Sequence, residues 1–368
     1  MKQLFILLLL AISCHVFAQD TDRKIQFPDT KEYNTLKCDF HIHTAFSDGS
    51  VWPDIRVEEA LRDGLDAIAL TEHLEYQPHL EDIPHPDRNR SYEIAKELAK
   101  PHDLLIIHAT EITRDMPPGH ANALFITDAN KIKTDSLYDA YKEARNQGAF
   151  IFWNHPNWVN QQDDGIPVMS DLHKRLLADD LLHGIEVVND ITYSEHALLL
   201  AQEYGLTIIG TSDIHGLVDW QFMIPEGGHR PINLVFAKEK TEASIKEALF
   251  AGRTVAWYNN LLVGDPENVD ALMEVSLIAT SNGMIGPSSI LEIDLTNHSD
   301  AKFVLNNTSA YDFYQDGDLI EIEPHSTKRV SVLTSKVDSE KVVLTFDALN
   351  VIKGYKQPAK LEYSFTKN

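Results

Sequence analysis

The segment Asp39-Phe40-His41-Ile42-His43 places two histidines two residues apart in an apolar run that reads as a strand. Residues two apart on a strand face the same side. His41 and His43 therefore project together, as two imidazoles on one metal ion require. The pair alone says little, because with 17 histidines in 368 residues about 0.8 such pairs are expected by chance. Position says more. Thr71-Glu72-His73 ends a second strand pattern and Thr110-Glu111 a third, Gly119-His120 stands just before a fourth, Asn154-His155-Pro156 ends a fifth, and Ser212-Asp213-Ile214-His215 ends a seventh. Metal-type ligands thus recur near strand ends, mostly C-terminal ones, where parallel β/α folds assemble sites from several loops. Scattered core or surface histidines have no reason to obey that rule. Mixed nitrogen and oxygen donors without thiolate suit zinc, manganese or iron, and donor type does not choose among them.

The elements that must position these residues are legible as an alternation. Strand patterns run over 36–43, 65–71, 104–111, 121–127, 149–154, 184–189, 206–211 and 232–237. Helical patterns lie between them, at 57–63, 136–147, 194–204 and 243–251, each followed by a glycine: Gly64, Gly148, Gly205 and Gly252. Glycine just past a helix is a stop signal, because it takes the left-handed conformation without a Cβ penalty. Strand–helix alternation repeated this often predicts a parallel β/α architecture, either an open sheet or a closed barrel. After about Gly264 the period becomes two, as in Leu291, Ile293 and Leu295, or Val342, Leu344 and Phe346. No helix of convincing length is expected there, and the stretch reads as a small antiparallel β-sandwich.

Hydrophobic content of 43% and charged content of 24% are those of a globular chain with an ordinary core. The first eighteen residues differ. Lys2, an apolar run from Leu4 to Ile12, and Val16-Phe17-Ala18 form a signal-peptide pattern with cleavage after Ala18, too short an apolar run for a membrane anchor. The alternative is a lipoprotein with Cys14 lipidated, for which the preceding residues fit poorly. The expected location is periplasmic or secreted. Removing Lys2 with the leader takes the formal charge from −24 to −25, a surface that repels polyanions and disfavours nonspecific nucleic-acid binding. Cys38 is then the one remaining cysteine, so no internal disulfide is possible, and its apolar setting reads as core.

With these motifs the chain resembles the PHP domain family, named for polymerase and histidinol phosphatase, over about residues 36–260. The resemblance implies a distorted (β/α)7 barrel of parallel strands with a trinuclear metal site. One of the eight strand candidates is then peripheral, and the β-rich tail is outside the resemblance. It further implies that His41, His43, Glu111 and Asp213 hold one metal, that Glu111 bridges to a second held by His120 and His155, and that Asp48, His73 and His215 hold a third. Glu111 and Asp213 become the catalytic carboxylates. Some members carry histidine where this chain has Asp48, and a hard carboxylate there favours manganese or iron. The implied organisation is a leader at 1–18, an arm at 19–35, a PHP-like domain at 36–262 and a β-sandwich at 263–368.

The implied activity is hydrolysis of phosphate mono- or diesters by a metal-bound hydroxide, since a bound metal lowers the pKa of water from 15.7 to about 7. Two or three divalent ions (Mn, Zn or Fe) and a small phosphorylated substrate are the expected partners; oligomeric state is not legible. Arg88 and Arg90, in the loop after the second strand, are candidates for a phosphate grip, with a solvated loop charge as the plainer reading. Arg253 divides evenly between an ion pair and a substrate contact. Two other functions compete. An amidohydrolase-type metallohydrolase acting on C–N or carboxylic ester bonds also begins with a His-X-His strand. A non-catalytic, metal-stabilised binding module would favour a degenerate ligand set, which this is not.

Overall fold

The computed structural model describes residues 23–335 and 340–367. The leader segment, Cys14 included, lies outside the described residues. Seven strands form a ring: β1 (Asn34–Ile42), β2 (Ala67–Leu70), β3 (Leu105–Ile112), β4 (Ala121–Leu124), β5 (Phe150–Trp153), β6 (Gly184–Asn189) and β7 (Thr207–Thr211). β2 and β4 to β7 are buried along their whole length, which is why they read as continuous apolar runs rather than alternating ones. Cys38 is buried among them.

β1, β2 and β3 are parallel neighbours, as are β5, β6 and β7. The ring closes where Ile214, just past β7, bridges Ile42 in parallel and its carbonyl accepts from His43 N at 3.1 Å. The result is a distorted seven-stranded barrel. One strand corrects the all-parallel expectation: β4 runs antiparallel to both β3 and β5. Eight residues link Ile112 to Ala121, and a parallel crossover needs a dozen or more. The chain must therefore turn straight back, and this inversion sets the start of β4 beside the end of β3. The eighth candidate, β8 (Ile232–Ala237), is outside the ring. It pairs antiparallel with β1 and continues into β9 (Thr254–Tyr258) and β10 (Leu261–Gly264).

Helices α1 (Pro53–Asp63), α2 (Arg90–Ala99), α3 (Leu137–Asn146), α4 (Asp171–Ala178), α5 (Glu195–Tyr204) and α6 (Glu242–Phe250) connect the strands. Ser136, Ser194 and Thr241 cap α3, α5 and α6 through their hydroxyls. Gly64 and Gly205 end α1 and α5 at φ of 67° and 66°. No helix among the described residues is long and apolar enough to cross a membrane.

The tail is a sandwich of two antiparallel sheets. One contains β11 (Leu277–Met284), β12 (Ile290–Asn297), β14 (Asp312–Phe313) and β16 (Thr327–Leu333). The other contains β13 (Phe303–Asn307), β15 (Leu319–Ile322), β17 (Lys341–Gly354) and β18 (Gln357–Thr366). β12 alternates buried and half-buried side chains, as its period of two requires. A helix the sequence reading did not expect, α7 (Pro266–Ser276), leads into it, burying Val269, Leu272, Met273 and Ser276. These sit at i, i+3, i+4 and i+7, one helical face.

Barrel and sandwich are not separable blocks. β10 pairs in parallel with β17, Leu262 opposite Val351 and Val263 opposite Ile352, so a boundary drawn at 262/263 falls inside a strand. One apolar core runs from Ile42 and Leu70 through Trp257 and Leu272 to Phe303 and Phe346. Truncation after Gly264 strips β10 of this partner and uncovers several core side chains, each contributing about 1.5–3 kcal/mol when buried. The truncated chain is expected to lose more than about 10 °C of thermal midpoint. An unchanged midpoint in calorimetry would show that the barrel stands alone.

Candidate metal centre

The loop after β1 is shaped by a close approach. Gly49 N donates to Thr44 O, and a Cβ at Gly49 would lie 2.7 Å from the His43 carbonyl carbon and the Thr44 nitrogen. A larger residue cannot take this position without moving the His43 backbone, so the glycine is what folds Asp48 back over His43. At β7's end, Asp213 has φ of 47°, and after β5, His155 has φ of 28°. Both are in the left-handed region that side chains avoid, at about 1–3 kcal/mol each.

The nine side chains that the resemblance names converge at the barrel end formed by the C-termini of β1, β2, β3, β5 and β7 and the N-terminus of the inverted β4. His41 Nε2 and His43 Nε2 are 3.0 Å apart, and Asp213 Oδ1 lies 3.1 and 3.2 Å from them. Glu111 Oε1 stands 2.9 Å from His120 Nδ1 and 3.6 Å from His155 Nε2, while Oε2 is 2.7 Å from His73 Nδ1. Asp48 lies 3.3 Å from His73 Nε2 and 3.2 Å from His215 Nε2. His43 Nδ1 is 3.4 Å from Asp48, so this ring stands between two donor groups. Four sets of ligand atoms each lie within 4.8 Å: His41 with His43 and Asp213, His41 with Glu111 and His155, His73 with Glu111 and His120, and His43 with Asp48, His73 and His215.

The donors fit divalent cations on their own chemistry. Glu111 Oε2 and Asp213 Oδ1 are buried, and neither of these two oxygens has a partner in hydrogen-bond geometry. A buried charged oxygen left so costs more than the roughly 1–3 kcal/mol of a neutral group. Burial opposes charge on Glu111 and Asp213, yet the surrounding imidazoles hold both carboxyls well below their usual range. Asp48 is likewise held well below, against burial, by His215 and His73. Burial disfavours the imidazolium forms as well. Nevertheless Asp213, Glu186 and Glu111 push His41 well up, Glu111 and Asp48 push His73 to about 10, and Asp48 and Asp213 push His215 to about 9. His43 goes the other way, to about 3, through burial and the charge on His215. Divalent cations at the same atoms would displace those protons.

Residues the sequence reading did not single out hold the ligands in place. Glu186, on β6, takes His41 Nδ1 at 2.8 Å, which leaves Nε2 as the coordinating atom. It also accepts from His155 N, Asn189 Nδ2 and Thr211 Oγ1. Its signal was present: an acid within the otherwise apolar Gly184-Ile185-Glu186-Val187-Val188. Asn154 Nδ2 donates to Glu111 Oε1 at 2.8 Å, and Asn122 N donates back to Asn154 Oδ1. Asp39 accepts from Ser212 N and Oγ and pairs with buried Arg230, tying β1 to the segment that carries Asp213. Glu72 accepts from Thr44 and Ser47 and is not among the converging donors.

The arginines are elsewhere. Arg88 spends its guanidinium on the carbonyls of Leu74 and His85, bracing its own loop. Arg90 is exposed and pairs with Glu93. Arg253 pairs with Glu247 and lies over Tyr33. It borders a separate cavity with Gly205 and Thr207, at the start of β7 rather than its end, so the barrel's length separates it from the metal face. The cavity over the donors is about 540 Å³ and is lined on its outer side by Asn157, Trp158, Val159, Asp190, Thr192 and Gln221, without lysine or arginine among the described residues.

Comparison with known proteins agrees with this layout. The PHP domain model matches residues 39–214, and an Ig-like domain model matches residues 278–364. A solved two-domain protein from Bacteroides vulgatus, described as containing a predicted PHP-like metal-dependent phosphoesterase, is 37% identical, with a TM-score of 0.87 over 93% of this chain and 98% of that one. A candidate metal-dependent phosphoesterase from Bifidobacterium adolescentis is 18% identical over 50% of this chain and 90% of its own, with a TM-score of 0.39. An amidohydrolase from Chromobacterium violaceum, with bound sulfate and no metal, is 17% identical over 49% and 87%, with a TM-score of 0.36. No curated protein matches.

Two expectations follow from the supporting residues. Glu186→Gln removes the carboxylate that orients His41, and metal affinity should fall about 10- to 100-fold, read by competition against a chromophoric chelator; an unchanged affinity would remove Glu186 from the site. His173 tests the approach to His120. Its Nε2 lies 2.8 Å from Pro118 O, its Nδ1 accepts from Ser170 N, and it stacks on Trp153 at 4.0 Å. That pattern requires the neutral ring, and burial pushes its pKa down to about 4. Its contribution is therefore complete above the ordinary value of about 6.5 and is lost as pH falls from there towards 4, by at most about 3 kcal/mol. The stability gap between wild type and His173→Gln, measured in urea, should be widest at pH 7.5 and narrow by pH 5. A gap that widens in acid contradicts this.

Proposed function

Because the chain belongs to the PHP family of metal-dependent phosphoesterases, we propose that it hydrolyses phosphate mono- or diesters at this centre. The observation that carries the reading is the convergence of nine donors with two buried carboxylate oxygens, on Glu111 and Asp213, that make no hydrogen bond. In this reading His41, His43, Glu111 and Asp213 hold one cation, Glu111, His120 and His155 a second, and Asp48, His73 and His215 a third. When bound, manganese, zinc or iron ions would supply an acidified water and Lewis-acid contacts to phosphoryl oxygens. We propose further that the mature protein works in the periplasm or outside the cell, on the strength of its amino-terminal segment.

The chain's own residues do the rest. Glu111 and Asp213, held anionic in the buried ring, fix the spacing of the donor groups. Glu186, Thr113 and the Asp213 carbonyl meet the second nitrogens of His41, His73 and His215. His41 and His215 thereby turn Nε2 inward, while His73 faces Asp48 through Nε2 and Glu111 through Nδ1. The reaction forms a bond from water oxygen to phosphorus and breaks the bond from phosphorus to the ester oxygen. One water proton goes to solvent or a nearby base, and the departing alcohol gains one. With no lysine or arginine lining the cavity, the phosphoryl charge must be met by cations, which favours a strictly metal-dependent enzyme over a cationic side-chain clamp.

The test joins composition to turnover. Elemental analysis of metal-loaded protein should find two or three equivalents. p-Nitrophenyl phosphate or bis(p-nitrophenyl) phosphate should be turned over, kcat/KM should rise with pH through about 7 and level off, and inorganic phosphate should compete. Glu111→Gln should lower kcat at least about 100-fold. Rapid hydrolysis of p-nitrophenyl acetate with no phosphoester turnover and no phosphate inhibition would transfer the protein to the amidohydrolase-type reading. One equivalent of metal or none would favour a binding module.

A further inference from the structure

The wall facing the donors carries no role in the reading above, and its chemistry is specific. The loop after β5 makes a tight turn in which Trp158 N donates to His155 O, and this sets the indole edge-on to His155 and beside His120, at 5.2 and 5.9 Å between ring centres. Trp158 is nonetheless 41% exposed, an apolar plate at the mouth with one side uncovered. The loop after β6 brings Asp190, whose φ of 49° is held by a bond from its nitrogen to Thr211 O. Gln221 Nε2 donates to Asp190 Oδ1 at 2.6 Å and fixes the carboxylate, and Thr192 Oγ1 donates its proton to Asn189 O. Asp190, the Gln221 amide oxygen and the Thr192 hydroxyl thus present acceptors to the cavity.

Resting on the phosphoesterase reading, we propose that the alcohol half of the substrate is a neutral sugar carrying a single phosphate, its ring face on Trp158 and its hydroxyls donating to Asp190, Gln221 and Thr192. The chemistry and size of the cavity carry this. A flat, uncovered indole beside acceptors suits a molecule with an apolar face and donor-rich edges. The outer wall's charged side chain is a carboxylate, which meets hydroxyls but gives a second phosphate no cationic partner. Asp190 adds like-charge repulsion, with no lysine or arginine across the cavity to offset it. The cavity, about 540 Å³, is of the size of small-molecule sites, about 300–1,000 Å³. Specificity is therefore built partly by exclusion: the metal face demands one phosphoryl group and the outer wall refuses another.

The experiment uses the full-length, manganese-loaded enzyme and compares hexose 1- and 6-monophosphates with the corresponding hexose bisphosphate, phosphoethanolamine and p-nitrophenyl phosphate. The monophosphates should exceed the bisphosphate in kcat/KM by at least about tenfold. Asp190→Asn, with metal content checked against wild type, should narrow that ratio at least about fivefold, because it removes the repelling charge while keeping the side chain's shape. Trp158→Ala should raise KM for the monophosphates about tenfold with a much smaller change in kcat. Equal or greater activity on the bisphosphate, a mono-to-bisphosphate ratio that Asp190→Asn leaves unchanged, or preference for phosphoethanolamine, each overturns the proposal. In those cases turnover of p-nitrophenyl phosphate keeps the phosphoesterase reading standing. Loss of every phosphoester, the nitrophenyl ones included, sinks both.

Discussion

Asp48, Glu111 and Asp213 face one another across a cluster of imidazoles inside the barrel, and Glu111 is fully buried. Negative charge gathered in a low-dielectric interior must be neutralised nearby or the fold will not close around it. Protons can do this in part, which is why His41, His73 and His215 hold theirs so tightly. Divalent cations do it more completely, since one ion can face several donors at once and reach the oxygens of Glu111 and Asp213 that no hydrogen bond satisfies. Folding of the barrel mouth and metal binding are in this sense one problem of charge balance.

That balance holds only if the donors stay where they are, and a surrounding layer of polar residues keeps them there. Glu186 touches His41, His155, Asn189 and Thr211 from one carboxylate, so a single side chain couples β1, β5, β6 and β7. Asp39, Ser212 and Arg230 make a second tie between β1 and the residue before Asp213. The left-handed backbone at His155 and Asp213 is strain that such ties sustain. Glu186, Asp39, Ser212 and Arg230 are buried and paired, and rigidity here serves geometry more than net stability: a buried ion pair such as Arg230 with Asp39 adds little stability for its desolvation.

The sandwich contributes at a distance. None of its described residues lines the cavity over the donors, yet β17 supplies a neighbour to β10 and its core is continuous with that of the barrel. β8, β9 and β10 extend the sheet from β1, the strand carrying His41 and His43, and leave an edge that would otherwise expose unpaired backbone groups. Covering that edge keeps β1 in an environment buried on both sides.

What the amino-acid sequence determined by itself was the kind of chemistry and its end of the fold. Ligand-type residues at strand ends, His41 and His43 at a spacing of two, and glycines closing the helices are local signals, and local geometry translates them without reference to the rest of the chain. Tertiary structure decided what depends on neighbours. The inversion of β4 came from a link too short for a crossover, and it explains why His120 precedes its strand while the other ligands lie at the C-terminal ends of theirs or just beyond. Glu186 looked like an oddity in an apolar strand until the ring placed it behind His41. Arg253 had the right charge at the wrong end of the barrel, and Arg88 had already spent its donors on backbone carbonyls. The amphipathic helix α7 lay hidden between strand patterns because its burying face meets its partners only where barrel and sandwich join. Sequence spacing specifies which side of an element a residue occupies, whereas pairing across the barrel specifies what that side meets.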